Sequence, residues 1–96
     1  MPNLKNNLGV KSLYKVLITE SARKQVRSLA KNEIPIIMDA MRSLTENPRS
    51  YQSKKLIGTA DQYRLRKGDY RIIYTIDDHI KEVTVFRVRH RREAYR

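Results

Sequence analysis

An α+β fold is the class this sequence predicts: an N-terminal strand, a two-helix antiparallel hairpin, then a three-stranded antiparallel sheet. Three observations carry it. The last third of the chain alternates basic and apolar residues, as in Tyr63-Arg64-Leu65-Arg66 and Tyr70-Arg71-Ile72-Ile73-Tyr74, and strand side chains point alternately to opposite faces. Between those two runs stands Gly68-Asp69, a two-residue hairpin turn with glycine at its first central position. Upstream, two apolar patterns of helical period are separated by a short break at Asn32-Glu33.

Taken in order, residues 1–13 are polar and aperiodic and read as a flexible tail, with residues 14–96 as one domain. Tyr14-Lys15-Val16-Leu17-Ile18 suits a buried strand, and Thr19 can cap the helix that follows. Ala22, Val26, Leu29 and Ala30 make the apolar stripe of that helix, while Arg23, Lys24, Arg27 and Lys31 fall on its other faces. Pro35 fits the first turn of the second helix, where its missing N–H is harmless. Ile36, Ile37, Ala40, Met41 and Leu44 form the second stripe, and Asn47-Pro48 closes it. Arg49 to Gln62 reads as a long polar loop, interrupted only by Leu56-Ile57.

The glycine turn fixes a register for the sheet. Lys67 faces Tyr70, Arg66 faces Arg71, Leu65 faces Ile72, Arg64 faces Ile73 and Tyr63 faces Tyr74. Arg64, Arg66 and Arg71 then share one face, with Tyr63, Tyr74, Leu65 and Ile72 on the other. Like charges opposed across a ladder cost up to about 1 kcal/mol, which points to an anion between Arg66 and Arg71. Two registers compete for the last hairpin. A two-residue Asp78-His79 turn puts Phe86 on the arginine face and Arg87 in the core; a five-residue Asp77-to-Lys81 loop puts Phe86 and Val88 in the core. Burying Phe86 is worth roughly 1.5–3 kcal/mol, and burying an unpaired arginine costs several. The second register is therefore expected, with Arg87, Arg89 and Arg91 beside Arg71 and with His90 turned away.

Composition narrows the function. Lys plus Arg outnumber Asp plus Glu by 21 to 10, for a net charge of +11, so a nucleic acid or an acidic protein is the expected partner. No apolar run is long enough to span a bilayer and no signal-peptide pattern opens the chain, so a cytoplasmic location and no membrane partner are expected. The chain has no cysteine and two isolated histidines, His79 and His90. Neither a metal nor another cofactor is expected.

The element order resembles that of the RelE/ParE superfamily of bacterial toxins. So do Lys55-Leu56-Ile57-Gly58, the run from Tyr63 to Tyr74, and Val88-Arg89-His90-Arg91-Arg92-Glu93-Ala94-Tyr95-Arg96. The resemblance covers Tyr14 to Arg96 and is better with the RelE branch, whose members have a microbial-RNase-type fold. It implies a type II toxin that enters the ribosomal A site, cuts messenger RNA there, and is held inactive by a cognate acidic antitoxin in a hetero-oligomer. The 70S ribosome and mRNA are then its partners. The alternative is a ParE-like toxin on the same scaffold that inhibits DNA gyrase without catalysis; a simple RNA-binding domain lacks the usual aromatic platform, since Phe86 is the one phenylalanine.

By resemblance, Arg64 and Arg66 match two basic positions on the first strand of the motif, Arg71 the phosphate-binding arginine, Arg91 the basic residue after the last strand, and Tyr95 the C-terminal tyrosine. Well-known RelE-type toxins carry lysine where this chain has Arg64 and Arg66. Arginine stays protonated in proteins, so neither can serve as a general base. Tyr95, whose phenol cations would make more acidic, and His90, an imidazole able both to give and to take a proton, remain for proton transfer. Arg71 and Arg91 are expected to neutralise the developing phosphorane charge, with Arg64 and Arg66 holding the backbone. Lys54, Lys55, Lys67, Arg87, Arg89 and Arg92 are candidate RNA or ribosome contacts.

Overall fold

The computed structural model describes residues 13–50, 53–56, 58 and 61–90. In chain order its elements are β1 (Lys15–Ile18), α1 (Glu20–Arg27), α2 (Ile34–Ser43), β2 (Ser53–Lys55), β3 (Gln62–Lys67), β4 (Tyr70–Asp77) and β5 (Glu82–His90). The strands form one sheet in the order β1-β5-β4-β3-β2, with β1 parallel to β5 and the other neighbours antiparallel. All but Leu13 of the expected tail lies outside the described residues, as do Ile57, Arg91, Arg92 and Tyr95.

Local chemistry sets the helix ends. Thr19 is extended, and its Oγ1 accepts a hydrogen bond from the Ala22 N–H at 3.1 Å, capping α1. The helix stops at Arg27, because the Ser28 hydroxyl donates back to the Gln25 carbonyl and the Leu29 N–H to that of Val26. Its apolar stripe is therefore Ala22 and Val26, shorter than expected; Leu29 still packs on the core from beyond the helix, and Ala30 is exposed. In α2 the buried stripe is Ile37, Ala40 and Met41, continued by Leu44. Ile36, counted in that stripe from sequence, is 43% exposed. At 3.6 residues per turn it lies about 100° round from Ile37, on the flank.

The helices cover one face of the sheet. Leu65, Ile72, Tyr74, Ile76, Val83, Val85 and Val88 meet the two helical stripes there in one core. Val16 and Ile18 join it from β1, where they pair with Val83 and Val85.

Two departures bear on function. The expected Arg49–Gln62 loop contains a strand, β2, which puts Lys54 opposite Arg64 and Lys55 opposite Tyr63 at the sheet edge. The last hairpin follows neither expected register. Asp77 pairs with Glu82 across a four-residue turn, in which Lys81 has φ 56° and the Asp77 carboxylate accepts from the His79 and Ile80 N–H groups. A register shift between Ile73 and Tyr74 then makes Phe86 an extra residue on β5, a β-bulge. Val83, Val85 and Val88 all reach the core this way, and Phe86, placed there from sequence, does not. Three buried valines at spacings of two and three outweigh one phenylalanine at strict alternation.

No helix among the described residues is long and apolar enough to cross a membrane.

Candidate functional site

The uncovered face of the sheet carries the arginines. The β3–β4 register is the one the glycine turn predicts, from Tyr63–Tyr74 to Lys67–Tyr70, and Gly68 sits at φ 60°, where a side chain would be strained. Arg66 pairs with Arg71, and Arg71 in turn with Arg89, so three guanidinium-bearing residues form a row across three adjacent strands. With strands about 4.8 Å apart, the row spans about the width of one nucleotide. Two residues along lies a second row, Lys54–Arg64–Ile73–Arg87. The expectation that Arg87 stands beside Arg71 is corrected here: the bulge moves Arg87 to Ile73 and brings Arg89 to Arg71.

Other candidates fall elsewhere. Lys55 pairs with Tyr63, and Lys67 with Tyr70, which pairs in turn with His90. These rows alternate with the arginine rows and belong to the helix side. The His90 ring meets Tyr70 edge-on, with centroids 5.1 Å apart. Both line a cleft of about 600 Å³ between the sheet and the end of α1, where Gln25 Oε1 accepts the Val88 N–H at 2.6 Å. Among the described residues no group of three or more His, Cys, Asp or Glu side chains is placed to hold a metal.

Sequence reasoning missed a cluster built around Arg49. The Arg49 guanidinium donates to both carboxylate oxygens of Asp78 at 3.1 and 2.9 Å, and through Nε to the Tyr63 hydroxyl at 3.1 Å. It also lies over the Tyr63 ring, 5.2 Å from its centroid. Tyr63 stacks on Tyr74 at 5.9 Å, and the buried Tyr74 hydroxyl donates to the Pro48 carbonyl at 2.6 Å. Tyr14 completes the group, donating to Asp78 Oδ1 at 2.6 Å. Hydrogen bonds from Arg49, then from Tyr14, hold the Asp78 carboxyl down at about 2. The same Asp78 and Tyr63 partners push Arg49 further up from its ordinary value, and burial raises the Tyr74 phenol. Asp78 sits 64 residues after Tyr14 and 29 after Arg49, separations with no sequence signal.

This fold is that of a known toxin class. Residues 16–95 match the family described as the ParE toxin of the type II toxin–antitoxin system parDE. Toxin RelG of Mycobacterium tuberculosis is 30% identical over 84 residues, covering 86% of this chain and 97% of that protein. The toxin–antitoxin complex RelBE2 of M. tuberculosis superposes with a TM-score of 0.75 at 30% identity, over 82% of this chain and 99% of that one. An archaeal RelE–RelB complex from Pyrococcus horikoshii gives 0.71 at 30% identity, over 82% and 96%. Isolated RelE of E. coli gives 0.70 at 26% identity, over 80% and 83%. The chain belongs to the RelE/ParE family and is a toxin of the type II toxin–antitoxin class.

Proposed function

We propose that this toxin is a ribosome-dependent endoribonuclease that cuts messenger RNA in the A site. The observation that carries the reading is the Arg66–Arg71–Arg89 row, three like charges opposed across neighbouring strands. Such opposition is destabilising, and a phosphate between the side chains reverses its sign.

RNA supplies its own nucleophile, the 2′-OH beside the scissile phosphate. The protein must hold that oxygen in line, take its proton, stabilise the dianionic phosphorane-like transition state and protonate the departing 5′-oxygen. Arg71, at the centre of the row, is assigned the charge step, with Arg66 and Arg89 on either side of it. Arg64 and Lys54 in the adjacent row hold the flanking backbone, since phosphate contacts fix position. Tyr95 is assigned proton transfer and Arg91 a further share of the charge, both by family resemblance. His90 is set aside because its row faces the helices.

The related RelE structures from P. horikoshii and M. tuberculosis are complexes with an antitoxin. This chain, at +11, is proposed to be neutralised likewise by an acidic partner, whose association should slow as salt screens the charges.

A second reading rests on the matched family description, which is that of ParE: a gyrase inhibitor without catalysis. Toeprinting of a translated message with purified toxin separates the two. Cuts within the A-site codon are expected; intact message together with inhibited gyrase supercoiling would install the second reading.

A further inference from the structure

We infer that Phe86 is a stacking platform for one unpaired base of the RNA strand, set beside the phosphate-binding arginines by the β5 bulge. The inference rests on the nuclease reading and deepens it.

The bulge is the starting point. Because Val85 pairs with Tyr74 and Arg87 with Ile73, Phe86 has no partner of its own. Two residues of a bulged strand then oppose one on its neighbour, and the core positions on either side, Val85 and Val88, are both buried. Phe86 is left beside Arg87 at the Ile73 step, with the Arg87 guanidinium 6.0 Å from its ring centroid. Phe86 and Ile73 are both partly buried, yet neither packs against the core cluster. A phenylalanine excluded from the core by a device that could have been avoided is an unusual expense unless the ring has a use outside.

Its surroundings say what use. The next row beyond Phe86 is uncharged, with Thr84 paired to Thr75 on one side and to Leu17 on the other, and Leu17 37% exposed. On its other side lie Arg71, Arg89 and Arg66. The step from the Ile73–Arg87 pair to the Arg71–Arg89 pair is two residues, about 6.6 Å of strand rise, comparable to the reach from a base to its own phosphate. One nucleotide thus meets an aromatic face with its base and a guanidinium row with its backbone. Unstacked RNA bases are commonly held on aromatic rings in this way, and every base has a π-face, so the contact positions the strand without choosing sequence.

The test is single-turnover cleavage of A-site message on ribosomes, comparing the parental toxin with Phe86→Leu and Phe86→Tyr. Leucine keeps an apolar side chain and removes the π-face. Cleavage by Phe86→Leu should fall by about 5-fold to 150-fold, the range for loss of one stacked base, and Phe86→Tyr should restore it. Messages with an abasic residue at each codon position in turn need no variant. At one position the parental enzyme should drop to the Phe86→Leu rate, and the two proteins should become equal there. A Phe86→Leu toxin cutting at the parental rate overturns the platform and leaves the nuclease reading standing. So does a deficit that persists at every abasic position, or one confined to neutralisation by the antitoxin, which would place the ring in a protein interface. A parental toxin that cuts no message removes both proposals.

Discussion

Arginine is used in two opposite ways in this molecule. Arg49 sits at the hairpin end of the sheet with its charge matched: a bidentate carboxylate, a phenol oxygen and an aromatic face all meet one guanidinium. Arg66, Arg71 and Arg89 are arranged against one another. The first arrangement ties the loop after α2 to the β4–β5 turn and closes the core below Tyr74. The second sets like charges opposite one another across neighbouring strands, on the face that no described helix covers. The charge of Arg49 is matched by its immediate neighbours; the charge of the row is the part that the proposed reading turns towards a phosphate.

The contrast can be broken from either side. The largest effect is expected for Arg71→Ala, which should lower single-turnover cleavage by about 10²–10³, as for loss of one transition-state donor, with ribosome binding little changed. Next comes Tyr74→Phe on the matched side. It removes the buried hydroxyl and leaves the Pro48 carbonyl without its donor, so denaturant melts should show a loss of about 1–3 kcal/mol with cleavage per folded molecule unaltered. A smaller change of opposite sign is expected for Arg66→Gln. Relief of the opposed charges should stabilise the fold by up to about 1 kcal/mol, seen as a raised Tm, while cleavage falls.

Acid should find the matched cluster first. The Asp78 carboxyl is lowered from 3.8 to about 2 by its partners, so its contribution to stability is present above pH 4 and is lost as pH falls from about 4 towards 2. Asp78→Asn should flatten that part of the stability profile. An unchanged profile would mean that Arg49 and Tyr14 do not hold the carboxylate in solution. The smallest effect is expected for His90→Ala: cleavage within about twofold of parental, the span of a ±0.5 kcal/mol surface change. A crippled His90→Ala with a native melting curve would move proton transfer to the imidazole and challenge the division of the sheet into two faces.

How far this division was legible in the sequence differs from hairpin to hairpin. The β3–β4 pairing followed residue for residue from Gly68-Asp69, because a two-residue turn leaves the register no freedom. The β4–β5 pairing did not, because its turn uses Lys81 at positive φ and an aspartate that bonds its own backbone, neither of which marks a turn length. The bulge had a signal in the valine spacing, which strict alternation concealed. Ser53–Lys55 gave little sign of a strand, since an edge strand rich in lysine looks like loop; only the length of that presumed loop argued for a hidden element. The arginine row was half visible, as Arg66 and Arg71. Arg87 and Arg89 were both expected on that face beside Arg71; the bulge decides that Arg89 is the one directly opposite it, and it takes Phe86 out of the core.

The parallel pairing of β1 with β5 has a consequence for how the molecule assembles. The β3–β4 hairpin is local and tightly turned, the kind of unit that forms within microseconds, and it already sets Arg66 beside Arg71. The strand bearing Arg89 also closes on β4 through a short local turn, whereas its other neighbour, β1, comes from the far end of the chain. Contacts so distant in sequence pay their closure entropy before they return anything. Pulse-labelled hydrogen exchange should therefore protect β3, β4 and β5 early and β1 late. The basic row would then be complete before the sheet is, and the slow phase of folding would be the docking of β1 on its far edge.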